Sequence, residues 1–228
     1  MTLPDAAGPT KVGDVPDVLY LSPQDEVANV LTHGVGMVLS LVAVVVFWGL
    51  THSSEVGLRF CCQLFTAAMF VVYTFSTLSH AVHQPKWRNR LRAWDQGTIY
   101  LLICGTYSPF IWCGSPDGWR SALLSAVWVA GIAGFGSKVL GSHRINAVST
   151  VSYVMLGWLP ALPLMTKTPT ICFAWMLLGG LSYTLGILLL VRSARLRFAH
   201  AGWHLMVMLG SACHCYAVYK LLQLTQPT

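Results

Sequence analysis

Charge is what this chain has least of. Only 10% of its 228 residues are Asp, Glu, Lys or Arg, whereas a soluble domain carries about 25%. That scarcity argues against an ordinary water-soluble fold. Acidic residues are scarcer than basic ones, 8 against 14, but the excess is no sign of nucleic-acid binding, because the basic residues sit in short connectors between apolar runs. Cysteine is present in an odd number, seven, without the spacing of a zinc ribbon. Cys104, Cys172 and the others therefore read as small buried apolar side chains. No internal repeat of the kind that marks many transporters is visible. A signal peptide is not expected either: residues 1–24 hold Pro4, Pro9, Pro16 and Pro23 with scattered Asp and no apolar core, and read as a flexible arm.

Long apolar runs fill the rest. Hydrophobic residues make up 55% of the chain, with nine tryptophans. Seven stretches of at least 17 residues carry no Asp, Glu, Lys or Arg. They are bounded by Glu26 and Glu55, Arg59 and Lys86, Asp95 and Asp117, Arg120 and Lys138, Arg144 and Lys167, Lys167 and Arg192, and Arg197 and Lys220. A helix crosses a bilayer core of about 30 Å with roughly 20 residues. The fourth stretch is the shortest, and Lys138 can snorkel to extend it.

The expected fold is an all-α membrane protein, a seven-transmembrane helix bundle. Its helices fall at about 26–50, 57–82, 93–113, 119–141, 145–165, 169–192 and 198–222, in one domain over about 25–223 with a short tail at about 224–228. Two short connectors are basic, His83 to Arg92 and Arg192 to Arg197. With the N-terminus inside, the inner segments hold 10 Lys and Arg residues and the outer ones 4. Lys and Arg excess marks the cytoplasmic side, so the N-terminus is expected in the cytoplasm and the C-terminus outside. Gly131, Gly134 and Gly136 in the fourth helix are expected to let helices approach. Pro109 in the third, and Pro160 and Pro163 in the fifth, should kink or loosen theirs.

Function must then lie in the polar residues kept within the apolar spans. His80 closes the second helix, Asp95 opens the third, and His200 and His204 open the seventh. All four lie within roughly 4–11 Å of a basic inner loop at helical rise, so topology brings them to one depth in one leaflet. His200 and His204 are four apart and share a helix face. With His80 they make a three-nitrogen set, a catalytic zinc pattern that leaves a fourth position to water. Asp95 suits a carboxylate that accepts from the metal's water better than a direct ligand. A polar cluster that orients helices without metal is the competing reading.

Further polar groups lie at this level. Ser76, four residues before His80, could hold that water or donate to a developing oxyanion; it could equally bond its own helix carbonyl. Glu26, Asn29 and His33 form one stripe on the first helix. They read as support for the metal ligands, or, for Glu26 and Asn29, as a capped helix start. His33 sits deeper and reads as a buried partner. His214 lies about 21 Å from His200 along the axis, too far to join. His52, His83 and His143 fall in loops.

Four segments, Glu26–His33 (EVANVLTH), Ser76–His80 (STLSH), Asp95–Phe110 (DQGTIYLLICGTYSPF) and His200–Gly210 (HAGWHLMVMLG), resemble the hemolysin III branch of the progestin and adipoQ receptor family. The similarity runs from Glu26 to Leu222. It implies seven helices with the N-terminus inside, a zinc ion held by His80, His200 and His204, Asp95 bonding the metal's water and Ser76 close by. Relatives in the wider superfamily, alkaline ceramidases and adiponectin receptors among them, are lipid amide hydrolases or are thought to be. Short members carry the hemolysin name, with a suggested cytolytic activity. Hormone recognition does not carry over, since the long N-terminal domain of the adiponectin receptors has no counterpart here.

The expected function is thus a zinc-dependent, ceramidase-like hydrolase of lipid amides in the plasma membrane, with membrane lipids as partners and no nucleic acid. Asp95 would take the water's proton and return it to the leaving amine, because no Glu stands between His200 and His204 as in soluble zinc proteases. Two rivals stand beside it: a cytolytic, pore-forming or channel-like protein, and a receptor-like protein whose zinc is structural.

Overall fold

The computed structural model describes residues 21–141 and 147–225. Among them every regular element is an α-helix: α1 Pro23–Leu50, α2 Val56–Ala81, α3 Pro85–Gly114, α4 Asp117–Val139, α5 Ala147–Trp158, α6 Ala161–Leu164, α7 Thr170–Leu190 and α8 Ala199–Thr225. Residues 1–20 of the expected N-terminal arm, Arg144 and His143 of the expected inner loop, and residues 226–228 of the tail lie outside the described residues.

Local chemistry sets the helix starts. Ser22 caps α1 by accepting from the Asp25 N–H at 3.2 Å, Pro23 occupies the first turn, where no N–H is needed, and Asp25 and Glu26 sit at its positive end. Pro85 likewise opens α3, eight residues before the expected start. The basic segment is therefore mostly helix rather than connector, since Lys and Arg are good helix formers. Only Val82, His83 and Gln84 separate α2 from α3.

The fifth expected helix is instead two. Pro160 has no N–H to donate and its ring crowds the preceding turn, so α5 stops at Trp158 and α6 restarts at Ala161. Pro163 falls in the first turn of α6, where its missing N–H costs nothing. Pro109, by contrast, is carried inside an unbroken α3. Beside it the hydroxyls of Thr106 and Ser108 donate to the Leu102 and Cys104 carbonyls at 2.8 and 2.9 Å.

Neighbours in the chain are neighbours in space: α1 packs on α2, α2 on α3, α3 on α4, α5 on α7 and α7 on α8, while α8 returns to α1 and closes the ring. Helix α3 also meets α5, α6 and α8, which makes it the inner element. Small residues permit the closest contacts. A methyl group at Gly131 would lie 2.1 Å from Cys104 Sγ, and one at Gly134 would lie 2.4 Å from the Tyr100 ring. Gly136 has nothing within 4 Å, so the expected close approach holds for two of the three glycines. All seven cysteines are free, and five are buried.

Helix α1 is inside out by the standard of a protein in water. Val27, Leu31, Val35, Val38, Val42 and Val45 face outward, while Asn29, His33, Gly36 and Ser40 are buried. Apolar side chains turned outward and polar ones turned inward fit a lipid surround. Five helices, α1, α2, α4, α7 and α8, are long and apolar enough to cross a membrane. Helix α3 is longer than any of these, but its first third is charged; α5 is too short alone.

Candidate metal centre

Four helix ends converge at one level: the starts of α1, α3 and α8 and the end of α2. There the structure gathers His80 from α2 with His200 and His204 from α8. One ring nitrogen from each lies within 4.8 Å of the others. The ring centroids are 5.0 Å apart for His80 and His200, 5.3 Å for His80 and His204, and 4.6 Å for His200 and His204. His80 and His204 are 2% and 1% exposed.

The donor set fits a divalent metal ion. Three imidazoles without a thiolate or carboxylate suit a borderline ion, which takes nitrogen ligands at about 2.0–2.1 Å. Two of the outer nitrogens are already committed. His80 Nδ1 lies 2.7 Å from Glu26 Oε2, so His80 has Nε2 to offer. Thr32 donates its hydroxyl proton to the Ala28 and Asn29 carbonyls at 2.8 and 3.1 Å. Its oxygen therefore accepts from His204 Nδ1–H at 3.0 Å, which leaves Nε2 with the free lone pair.

Glu26 is itself held. Arg88 donates to Oε1, and Arg92 stands 3.7 Å from the same oxygen. Arg88 is only 2% exposed, and its charge is matched where it is buried. Asn29 is fully buried with Nδ2 at 3.5 Å from His80 Nδ1. His33 stacks face to face on His204, with centroids 3.6 Å apart and planes at 13°, and meets the edge of Tyr73 at 5.0 Å. Tyr73 in turn donates to Ser211 at 2.6 Å. His33 thus walls the His204 ring.

Asp95 falls outside the three-nitrogen group. Ser79 donates to its Oδ2 at 3.3 Å, and Ser76, His80 and Arg92 also act on it. Ser76 is buried. His52 and His83 are exposed, and His214 lies apart among Gly179 and Tyr183.

Sequence reasoning passed over Arg88, Thr32 and Ser79. Arg88, Arg92 and Asp95 recur at spacings of four and three, one face of a helix, and that pattern was the available signal. Ser79 and Thr32 carried none.

A second feature lies beside this centre. An apolar cavity of about 110 Å³ opens between α3, α5, α7 and α8, lined among others by Ile103, Val154, Phe173, Leu177, Trp203 and Val207.

A model of haemolysin-III-related proteins matches residues 21–215. Hemolysin-3 of Bacillus cereus is 36% identical over 203 residues, 86% of this chain and 90% of that protein. The Hemolysin-3 homolog of Bacillus subtilis (strain 168) is 31% identical, over 86% of this chain and 93% of its own length. The human monocyte to macrophage differentiation factor is 25% identical, over 87% of this chain and 84% of its own. No solved structure matches the chain closely enough to count as a relative. With five helices fit to cross a bilayer, these likenesses mark a multi-pass membrane protein.

Proposed function

Because this chain belongs to the haemolysin-III-related family, we propose that it is a zinc-dependent hydrolase of lipid amides, ceramidase-like in chemistry. On this reading it crosses the plasma membrane seven times with its N-terminus in the cytoplasm, and His80, His200 and His204 hold the zinc near the inner surface. The three-imidazole cluster, buried at the meeting of four helix ends, is the observation that carries it.

When bound there, zinc would supply Lewis acidity, polarising a carbonyl and lowering the pKa of water. The chain's own groups do the rest. Asp95 takes the proton of the attacking water and returns it to the leaving amine. Ser79 and Ser76 both hydrogen-bond the carboxylate and orient it. Glu26 fixes the His80 ring, braced by Arg88. The apolar cavity beside the centre accommodates the lipid chain and keeps water from it.

Asp95→Ala is the test. Purified variant and wild type are compared for bound zinc and for fatty acid released from a panel of acyl amides. The proposal expects full zinc and a rate lowered by at least about 100-fold; an unchanged rate would refute it. Fold and zinc retained with no amide turned over by wild type would favour a structural ion in a receptor-like protein.

Cytolysis is a second reading, supported by the names of the two Bacillus relatives. Dye release from liposomes separates the two: lysis that persists when all three histidines are replaced would favour it.

A further inference from the structure

Two basic segments are drawn to one turn of α1. Glu26 accepts from Arg88, near the start of α3. Its neighbour Asp25 accepts from the Phe198 N–H, just before α8, at 2.6 Å. The cations that flank these two anchors are exposed: Lys86 and Arg90 beside Arg88, Arg195 and Arg197 beside Phe198. Lys86 and Arg90 are four apart on α3 and share one of its faces.

The end of the bundle that holds the metal centre thus carries positive charge without a matching exposed acid. Its described acids are engaged within the bundle: Asp25 with Phe198, Glu26 with His80 and Arg88, Asp95 with Ser79. Among the described residues, none of the four flanking cations has an ion pair or a side-chain hydrogen bond. The opposite end is built otherwise. Glu55 and Asp117 are exposed there, and Arg120 pairs with Asp117 at 2.8 Å. Arg59 donates to the Thr51 and His52 carbonyls, and Lys220 to Gln223 at 2.9 Å. Like charges held together repel, so the four at the metal end call for an anion from outside the chain.

Apolar side chains say where that anion lies. Trp87, Leu196 and Phe198 alternate with the cations along the chain, and are 51%, 52% and 45% exposed. Arg90 sits over the Trp87 ring at 5.4 Å, and Arg197 over the Phe198 ring at 4.9 Å. Exposed apolar groups interleaved with basic ones suit a membrane interface, rings toward acyl chains and cations among headgroups. A guanidinium that rests its face on a ring keeps its N–H edge for a phosphate. A phosphate free in water would gain nothing from the rings.

We infer that this rim binds anionic phospholipids: Lys86, Arg90, Arg195 and Arg197 take the headgroup phosphate, and Trp87, Leu196 and Phe198 seat among the acyl chains. Each basic side chain near an anionic surface adds to the attraction, which salt screens. The inference rests neither on a bound metal nor on hydrolysis.

Spin-labelled lipids test it. The purified full chain is reconstituted in phosphatidylcholine bilayers with a trace of spin-labelled phosphatidylglycerol or phosphatidylcholine, and the motionally restricted fraction gives their relative affinity. Averaged over the lipid shell, wild type should prefer phosphatidylglycerol by about threefold at low salt, falling toward parity in about 0.5 M NaCl. Lys86→Gln, Arg90→Gln, Arg195→Gln and Arg197→Gln together should abolish the preference, whereas Arg59→Gln with Lys220→Gln should leave it. Equal affinity for the two lipids in wild type would overturn the inference. So would a preference that survives the four substitutions or disappears with the two. Loss of the preference to millimolar inorganic phosphate at constant ionic strength would overturn it too, by assigning the cations to a soluble anion. The wild-type comparison decides by itself should the fourfold variant not fold.

Discussion

Glu26 and His80 meet across 54 residues of chain, carboxylate Oε2 to imidazole Nδ1 at 2.7 Å, with Arg88 on the other carboxylate oxygen. One side chain thus ties α1, α2 and α3 together and sets the ring that would face a metal. A carboxylate that fixes a ligand's ring is worth about 10- to 100-fold in metal affinity. Glu26→Gln should therefore lower zinc affinity by that amount in chelator competition. It should also lower thermal stability, because buried Arg88 loses its ion pair with Glu26.

His33 lies flat on His204 at 3.6 Å. His33→Ala would open a void against that ring and free it to rotate, whereas His33→Phe keeps an aromatic face in place. Zinc release, followed with a chromogenic chelator, should quicken by about tenfold in His33→Ala and much less in His33→Phe. Equal release from both would assign His33 a role other than walling the ligand.

The start of α8, which carries two of the three imidazoles, is clasped to α1. Asp25 Oδ1 accepts from the Phe198 N–H at 2.6 Å, and Phe198 holds φ at 59°, a conformation that side chains other than glycine's resist. Phe198→Gly should raise stability by about 0.5–1 kcal/mol in thermal unfolding. Asp25→Ala should lower it and weaken zinc binding with it.

Helix approach makes the last contrast. Gly131→Ala and Gly134→Ala would force the new methyl into Cys104 and Tyr100 respectively. Each should cost about 1–3 kcal/mol and reduce the folded yield. Gly136→Ala meets open space and should be neutral or slightly stabilising through helix propensity.

Much of this was readable from residue order. Charge scarcity marked the apolar helices, and three of the polar residues near the basic segments come together in the structure. His80, His200 and His204 were legible because a histidine in an apolar helix is conspicuous. Arg88 was not, because an arginine between spans looks like an ordinary inner-loop charge. Its burial depends on α3 extending back to Pro85, which brings the side chain to Glu26. Thr32 was hidden for another reason: its place at His204 Nδ1 depends on how α1 packs on α8. The break at Pro160 shows the limit of charge-free windows, which mark span length but carry no record of a missing N–H.

Zinc content is the most direct measure of the account. Elemental analysis of purified wild type, beside the variant with His80, His200 and His204 all replaced by alanine, should give about one equivalent per chain in the first and under about a tenth in the second. Wild type holding less than about a tenth of an equivalent, or equal zinc in the two proteins, would contradict it.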